Sequence, residues 1–314
     1  MHICTLTNWH INQMSILVEN ISKTYNKGKV QALQNISFEV QPGELFGLIG
    51  PDGAGKTTLF RILTTLLIAD SGKASVMNKD VVADYKYIRN QVGYMPGKFS
   101  LYQDLTVEEN LNFFATIFGT TLEENYDLIK DIYVQIEPFK TRRAGKLSGG
   151  MKQKLALSCA LIHKPEVLFL DEPTTGVDPV SRKEFWEMLK RLQQKGITIL
   201  VSTPYMDEAA LCDRIALIKD GKILKTNTPQ QIAQDFPHEL FAIRADQMYQ
   251  LLSDLKAYPK TYSVYPFGEY VHFSSDDATL SGIEIIKYLT SKGHQNVVIQ
   301  PIKPDIEDIF MELS

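Results

Sequence analysis

The sequence predicts an α/β protein in which a β-rich opening leads into a parallel sheet with helices, followed by a small α+β domain. The parallel sheet is predicted because two apolar runs, "VLFL" from Val167 and "ITILVS" from Ile197, enclose the helical stretch "SRKEFWEMLKRLQQKG". A strand-helix-strand order of this kind joins parallel strands. The β-rich opening is predicted because "SILVENISKTY" and "VQALQNISFEVQPGELFGLIG" alternate apolar and polar residues.

Three changes in pattern divide the chain. Residues 1–13 are expected to be a non-structural extension with translation beginning at Met14, because "MSILVENISKTY" already has the pattern of a domain strand. The main domain is expected over 14–228, with a helical subdomain at about 97–163, where "VEENLNFFATIF" and "MKQKLALSCALI" have helical periodicity. Short strands and helices alternate again over 229–314, which predicts the small α+β domain.

Composition excludes several classes of protein. The chain has 314 residues, 44% of them hydrophobic and 22% charged, which are ordinary values for a folded globular protein. A net charge of -4 argues against a nucleic-acid partner, which usually demands a basic face. Three scattered cysteines do not make a disulfide framework, and no apolar run is long enough to cross a bilayer. Any membrane role therefore requires a partner chain.

The segment "GPDGAGKTT" from Gly50 fits the phosphate-loop pattern of Gly, four free positions, Gly, Lys and then Ser or Thr. Glycines let successive backbone N–H groups turn toward one anion, and the helix that follows adds its positive end. Lys56 is expected to reach the terminal phosphates of a nucleotide, and Thr57 offers a hydroxyl to magnesium. The flanking order of strand, loop and helix favours this interpretation over a plain glycine-rich turn.

An acid pair closes the strand in "VLFLDEP". Asp171 is expected at the carboxyl edge of the sheet, near the magnesium ion and the phosphate loop, and Glu172 is expected to polarise an attacking water. The alternative is a helix cap or a surface acid pair, which explains one carboxylate but not two at the end of a buried strand.

The segment "LSGGMKQK" from Leu147 places Ser148, Gly149 and Gly150 before a helix. Taken alone, these residues are a helix N-cap. Together with the phosphate loop they form a second anion-binding helix start in one chain, which one nucleotide seldom needs from one subunit. Two subunits paired head to tail would let each such turn close on the γ-phosphate held by the other.

These segments, in the order "GPDGAGKTT", "LSGGMKQK" and "VLFLDEPTTGVDP", resemble the ATP-binding subunits of ABC transporters over about Met14 to Thr228. The resemblance implies a P-loop NTPase core of ABC type: a mixed β-subdomain, a RecA-like parallel sheet and a helical subdomain. It also implies a head-to-tail dimer that holds two ATP molecules with Mg²⁺.

The resemblance assigns roles residue by residue. Lys56 and Glu172 are expected to be catalytic, Thr57 and Asp171 to hold the metal, and Tyr25 to stack on adenine, although a strand-end tyrosine can also simply pack on the sheet. Asp178 is expected in the loop that crosses the dimer interface. The expected nucleotide-binding residues are Tyr25, Gly50, Asp52, Gly53, Ala54, Gly55, Lys56, Thr57, Thr58, Ser148, Gly149, Gly150 and Asp178.

Two positions depart from the family pattern. Gly97 stands where the family has a Gln that touches magnesium, and Gln103 lies too far along to replace it. In "ILVSTPYMDEAALCDRIALI", which is predicted to run from a strand through a turn into a helix, Pro204 stands where the family has a His that contacts the γ-phosphate. We therefore hypothesise that the chain binds ATP and dimerises but hydrolyses slowly or through a variant switch.

The resemblance further implies separate permease chains, a second ATP-binding subunit, and a cytoplasmic position on the inner face of the cell membrane. Phe99, Leu101 and Tyr102 are candidates for the permease contact, with core packing as the alternative. The ending "PDIEDIFMELS" is similar to the tails of export ATPases. The alternative functions are a non-hydrolysing regulatory half of an asymmetric dimer and, with less support, a soluble ABC-type ATPase.

Overall fold

The computed structural model describes residues 14–277 and 279–313, and the chain divides after Thr228 into two compact units. The extension predicted over 1–13 lies outside the described residues. Within the described residues, no helix has both the length and the apolar character required to cross a bilayer.

The first unit opens with an antiparallel sheet in the strand order β2-β1-β4-β5. Strand β1 buries Ile16, Val18 and Ile21 while most residues between them stay more exposed, as the alternating sequence predicts. These side chains share one core with the helix that follows the phosphate loop. The strands are β1 (Ile16–Tyr25), β2 (Val30–Val40), β4 (Ser71–Val76) and β5 (Lys79–Asp80).

The second sheet has the order β10-β9-β3-β8-β7-β6, and it is parallel from β9 to β6. Every residue of β3, β7 and β8 is buried, because helices or the first sheet cover both faces. Ile49 pairs with Thr203 and Asp171 pairs with Ser202, so three strands end at one edge. The strands are β3 (Leu45–Ile49), β6 (Val92–Met95), β7 (Val167–Asp171), β8 (Thr198–Thr203), β9 (Arg214–Lys219) and β10 (Lys222–Asn227).

Helices join the strands of this unit, and several begin at side-chain caps. Thr106 and Glu109 form a reciprocal capping box at the start of α3, as expected for a Thr followed three residues later by Glu. The predicted helix after Pro204 is instead a 3-10 helix over Met206–Leu211, since β9 already begins at Arg214 and leaves no room for a longer helix. The α-helices are α1 (Lys56–Leu63), α2 (Tyr85–Gln91), α3 (Val107–Ile117), α4 (Tyr126–Tyr133), α5 (Gly149–Leu161) and α6 (Pro179–Gln194).

The second unit confirms the predicted small α+β fold. Between β11 and β14 its chain order is β-α-β-β-α-β, and its antiparallel sheet has the order β12-β13-β11-β14, which is a ferredoxin-like arrangement. Helices α8 and α9 share an apolar core with the sheet. The elements are α7 (Pro229–Gln234), β11 (Leu240–Arg244), α8 (Met248–Lys256), β12 (Thr261–Phe267), β13 (Tyr270–Ser275), α9 (Gly282–Ser291), β14 (Val298–Ile302) and α10 (Ile306–Leu313).

Candidate functional site

The phosphate loop spans 50–55, between the end of β3 and the start of α1. A Cβ at Gly50 would lie 2.1 Å from the Ile218 carbonyl oxygen, so no larger residue fits there. Gly55 has a φ of 104° and caps α1 without a side-chain hydrogen bond. The N–H groups of the first helical turn therefore lack a side-chain cap and can take an anion.

Lys56 lies at the base of this loop with only 3% of its surface exposed. Its Nζ donates to the carbonyl oxygens of Gly50 at 2.7 Å and Pro51 at 2.9 Å. The same ammonium group lies 3.1 Å from Oε1 of Glu172. The structure thus brings together the two residues predicted to be catalytic, which are far apart in sequence.

The two carboxylates after β7 have different environments. Asp171 is buried, and its Oδ1 accepts a hydrogen bond of 2.7 Å from the Ser202 hydroxyl. Glu172 is half-buried and has a φ of 51°, a left-handed conformation that is uncommon outside glycine. This backbone conformation begins the turn that carries the Glu172 carboxylate to Lys56.

The other predicted nucleotide-binding residues of this region lie on the phosphate loop or beside the start of α1. Tyr25 ends β1 with its hydroxyl 3.5 Å from Oγ1 of Thr58, beside the first turn of α1. Thr57 is the second residue of α1 and is half-buried. Asp52 and Gly53 are exposed on the loop and Ala54 is buried. The structure therefore brings Tyr25 to the start of the helix that follows the phosphate loop, and its role toward adenine stays a prediction.

Ser148 caps α5, where its Oγ accepts a hydrogen bond of 3.3 Å from the Met151 N–H. Ser148 and Gly149 are exposed. A Cβ at Gly150 would lie 2.8 Å from the Ser181 hydroxyl, so this glycine lets α5 begin close to α6. The N-cap interpretation is therefore realised within the chain, and contact with a nucleotide on another subunit stays a prediction.

Asp178 caps α6 by accepting a hydrogen bond of 3.0 Å from the Ser181 N–H. This hydrogen bond lowers the pKa of the Asp178 carboxyl below its usual range. A carboxylate at a helix start also interacts favourably with the helix dipole. Its place in the dimer interface stays a prediction.

A buried hydrogen-bond network holds the loops after β7 and β8. The carboxylate of Glu208 accepts from the Thr203 hydroxyl at 2.5 Å and from the Thr174 hydroxyl at 2.8 Å. It also accepts from Nε of Arg182 at 3.1 Å. Sequence reasoning missed Glu208, and its signal was an acid four residues after Pro204 in a short apolar segment.

Gly97 lies two residues beyond β6, facing Asp171. A Cβ at this glycine would lie 3.1 Å from the Asp171 carbonyl oxygen and 3.9 Å from its Oδ2. A side chain at position 97 would therefore contact the predicted metal ligand, and this chain has none there. Gln103 instead meets Gly145, whose N–H donates to its carbonyl oxygen at 2.9 Å.

The residues proposed for the permease contact differ in exposure. Leu101 is 8% exposed, so it contributes to the core rather than to a surface. Tyr102 is 51% exposed and packs edge-on against Phe113, with ring centroids 4.8 Å apart. Phe99 is half-buried, with Nζ of Lys152 5.5 Å from its ring centroid. Tyr102 is therefore the most accessible of the three.

The site's oxygen donors fit magnesium and a nucleotide phosphate. Within the described residues no group of three or more His, Cys, Asp or Glu side chains could hold a metal. Magnesium does not require such a cage, since it commonly uses one or two protein oxygens together with substrate phosphates. The Thr57 hydroxyl and the Asp171 carboxylate are donors of this type, and the uncapped start of α1 suits the phosphates.

Comparison with known proteins agrees with this geometry. Residues 33–175 match the family described as ABC transporter. The chain is 41% identical over 218 residues to the probable multidrug ABC transporter ATP-binding protein YbhF of Escherichia coli (strain K12), covering 69% of this chain and 38% of YbhF. It is 32% identical over 308 residues to the Nod factor export ATP-binding protein I of Rhizobium sp. (strain N33), covering 97% of this chain and 98% of that one.

Solved structures show the same cassette. The chain resembles cbiO1 from Clostridium perfringens, described as part of the ABC transporter complex cbiONQ, with 27% identity and a TM-score of 0.63 over 71% of this chain and 92% of that one. It also resembles the ATP-binding cassette MJ0796, solved as a dimer in a post-hydrolysis state bound to ADP and Pi, with 26% identity and a TM-score of 0.61 over 68% of this chain and 98% of that one. The Nod factor export protein matches this chain over nearly the full length of both, with about a third of the residues identical. This chain therefore belongs to the ATP-binding proteins of ABC transporters, a family of ATPases.

Proposed function

We propose that this chain is the ATP-binding subunit of an ABC exporter and that it hydrolyses Mg-ATP at a head-to-tail dimer interface. The observation that carries this proposal is the contact between Lys56 and Glu172, 3.1 Å apart. That contact supports a single site that includes the phosphate loop and the residue that would polarise water. Family membership and the dimeric cassette bound to ADP and Pi support it.

The residues divide the work of phosphoryl transfer. The loop N–H groups and Lys56 would hold the phosphates, and Lys56 would counter the charge that develops on the γ-phosphate. Glu172 would accept a hydrogen bond from the attacking water and orient it. Attack forms a bond from the water oxygen to phosphorus and breaks the bond to the bridging oxygen, so that ADP and phosphate leave.

Magnesium would be held by Thr57 and Asp171. When bound, Mg²⁺ supplies positive charge that neutralises the phosphate oxygens. Asp171 is suited to this role because its carboxylate is buried and held by a hydrogen bond from Ser202. Tyr25, next to the loop, would stack on adenine.

A second subunit would complete the site. Ser148 and Gly149 are exposed at the start of α5, where a γ-phosphate on another copy could reach them. Asp178 lies on the loop between Thr174 and α6, beside that helix start. We propose that the partner is a second cassette chain, the same or homologous, paired head to tail.

The assembly would also include separate permease chains, with this chain on the cytoplasmic face of the membrane. No helix in the described residues can span a bilayer. The names of the relatives, which refer to multidrug transport, Nod factor export and doxorubicin resistance, support export over import. Tyr102 is the proposed point of contact with the permease.

Gly97 and Pro204 favour a second candidate, a non-hydrolysing half of an asymmetric dimer. Position 97 offers no side chain to the carboxylate of Asp171, although it faces that carboxylate. Position 204 offers no titratable group at the end of β8. In this candidate the chain binds ATP and closes the dimer, while the partner cassette performs hydrolysis.

Hydrolysis by the purified chain distinguishes the two candidates. We expect Mg²⁺-dependent release of phosphate that rises more than linearly with protein concentration and falls about 100-fold in Glu172→Gln. The matched control is Glu166→Gln, an exposed acid just before the opposite end of β7, which should keep full activity. ATP binding without turnover above the Glu172→Gln level would overturn the hydrolytic proposal and favour the regulatory half.

A further inference from the structure

Ser202 lies between the two candidate carboxylates although no motif singles it out. It is fully buried on β8, paired with Asp171 in the register of the sheet. Its hydroxyl donates a hydrogen bond of 2.7 Å to Oδ1 of Asp171. Oγ of Ser202 also accepts a hydrogen bond of 3.0 Å from the Glu172 N–H. One side chain therefore bonds both the predicted metal ligand and the residue predicted to polarise water.

The bond to Asp171 fixes the direction of that carboxylate. With Oδ1 held by Ser202, the carboxylate cannot rotate freely, and Oδ2 lies on the side of Gly97. A metal-binding carboxylate whose second oxygen accepts a hydrogen bond is more precisely oriented than a free one. Ser202 thus prepares Oδ2 for a cation before the cation arrives.

The bond to Glu172 stabilises an unusual backbone. A φ of 51° is unfavourable for a residue with a Cβ, and it persists only where the surroundings hold it. The Glu172 N–H is shared between the Ser202 carbonyl oxygen and the Ser202 hydroxyl, each at 3.0 Å. Because this conformation aims the Glu172 side chain at Lys56, loss of the hydroxyl would loosen the position of the carboxylate.

A buried serine can also be a simple structural group, and Thr198 on the same strand is an example. Its hydroxyl bonds the Ser15 hydroxyl at 3.0 Å and the Gly43 N–H at 2.9 Å, and it contacts no candidate site residue. Thr198 and Ser202 are both buried hydroxyls of β8, at opposite ends. They differ in what they hold, which makes Thr198 a matched control.

We propose that Ser202 is a positioning residue that orients Asp171 for Mg²⁺ and Glu172 for water. This inference rests on the proposed site for Mg-ATP. It assigns Ser202 no direct contact with the nucleotide. Loss of the Ser202 hydroxyl should therefore affect the Mg²⁺ dependence and the turnover more than the affinity of the chain for the nucleotide.

The test compares Ser202→Ala, Ser202→Thr and Thr198→Val in the full chain. We expect Ser202→Ala to raise the Mg²⁺ concentration that half-saturates binding of a fluorescent ATP analogue by about tenfold, and to lower kcat by about 10-fold to 100-fold. The KM for ATP should change by less than about threefold, and Ser202→Thr, which keeps the hydroxyl, should recover part of the loss. Thr198→Val should lower the melting temperature without shifting the Mg²⁺ dependence.

The outcomes separate this inference from the proposed function. A wild-type chain without turnover would overturn hydrolysis, yet the Mg²⁺ dependence of analogue binding would still decide the role of Ser202. If Ser202→Ala keeps the wild-type Mg²⁺ dependence, the inference is wrong. It is also wrong if Ser202→Ala and Thr198→Val shift the Mg²⁺ dependence equally, since the loss would then follow general stability.

Discussion

Asp171 in the cassette and Asp308 in the C-terminal unit are both about 1% exposed, but their surroundings differ. Asp308 is fully bonded: its Oδ1 accepts from Nδ1 of His272 at 2.6 Å and from the Tyr265 hydroxyl at 2.7 Å, and its Oδ2 accepts from the Asp305 N–H at 2.8 Å. Asp171 has Ser202 on Oδ1, and no hydrogen bond from the described residues reaches its Oδ2.

This difference is the one expected between a structural carboxylate and a candidate metal-binding carboxylate. A buried charge is tolerated when hydrogen bonds or an opposite charge compensate it. The Asp308 network is complete within the unit and needs no ligand. The Asp171 site lies beside an uncapped helix start and leaves an oxygen available, so a cation and a phosphate would complete it.

Lys56→Ala should have the largest effect and should act on function rather than on the fold. The ammonium group lies at the base of the phosphate loop, so its loss should weaken ATP binding and turnover by about 100-fold or more. Equilibrium binding of a fluorescent ATP analogue and phosphate release measure these changes.

The matched control for Lys56→Ala is Lys190→Ala. Lys190 lies on α6 and pairs with Asp213 at 3.0 Å, so it is another lysine of the same unit with one carboxylate partner. It should bind ATP as the wild type does, because exposed ion pairs contribute about 1 kcal/mol or less to stability. Equal losses of ATP binding in the two variants would show that Lys56 acts through the stability of the fold. The distinction between the candidate site around Asp171 and the structural network around Asp308 would then be wrong.

Asp308→Asn should have the next largest effect, and it should act on stability alone. Burial favours a higher pKa for Asp308, but hydrogen bonds from His272, the Asp305 N–H and Tyr265 outweigh it and hold the pKa below its usual value. A lowered folded pKa means that the stabilisation is complete above the unfolded value, near pH 4, and is lost as the pH falls through the folded value. Burial and the neighbouring Asp308 carboxylate raise the pKa of the Asp305 carboxyl, so Asp305 opposes this trend, and its shift should be smaller in Asp308→Asn.

Hydrogen exchange in α10 and β13 measures this effect. At pH 7 we expect Asp308→Asn to lower the local opening free energy by about 2 kcal/mol, and the difference from the wild type should shrink below about pH 4. The control Asp254→Asn removes a carboxylate that is 20% exposed and bonds His294 at 2.9 Å, so its effect should be smaller. ATP turnover should stay within about twofold, because no candidate site residue lies beyond Thr228. A pH-independent difference would contradict the charge-based explanation.

Local patterns were sufficient to predict most of the fold. The buried runs at Val167 and Ile197 became neighbouring parallel strands, and the helix between them is α6. The helix predicted after Pro204 is present, but as a 3-10 helix of six residues, because it lies between two strands of one sheet. That limit comes from the sheet rather than from local periodicity. The ferredoxin-like strand order was likewise not visible, since pairing partners depend on contacts distant in sequence.

The site was predictable where chemistry is local and not where it is tertiary. Lys56, Asp171 and Glu172 lie in motifs whose residue types and order indicate phosphate binding. Ser202 and Glu208 carry no motif, because their importance comes from strands and loops that meet only in the folded sheet. A useful signal would have been the polar residue at the end of each parallel strand, since those residues share one edge.

Pro204→His should have the smallest effect. It tests whether the phosphate site lacks a hydrogen-bond donor at position 204. Pro204 follows β8, half-buried, beside Thr203, whose hydroxyl donates to Glu208 and accepts from the Tyr205 N–H at 3.1 Å. This network holds the loop independently of the proline, so an imidazole should be tolerated there. If it supplies a hydrogen bond to the developing phosphate charge, kcat should rise by about tenfold, short of the few hundredfold of a well-placed donor.

Pro204→Ala is the control, because it removes the proline ring and adds no imidazole. Single-turnover measurement of phosphate release should show a faster rate for Pro204→His and no gain for Pro204→Ala. A gain in both variants would mean that the proline restricts the loop. An unchanged or slower rate in Pro204→His would mean that the site has been rebuilt around proline, with Glu208 holding the loop where a histidine no longer helps. In that case the loop after β8 would resemble the Asp308 network, because its hydrogen bonds would be satisfied without a ligand, even though Oδ2 of Asp171 is still available.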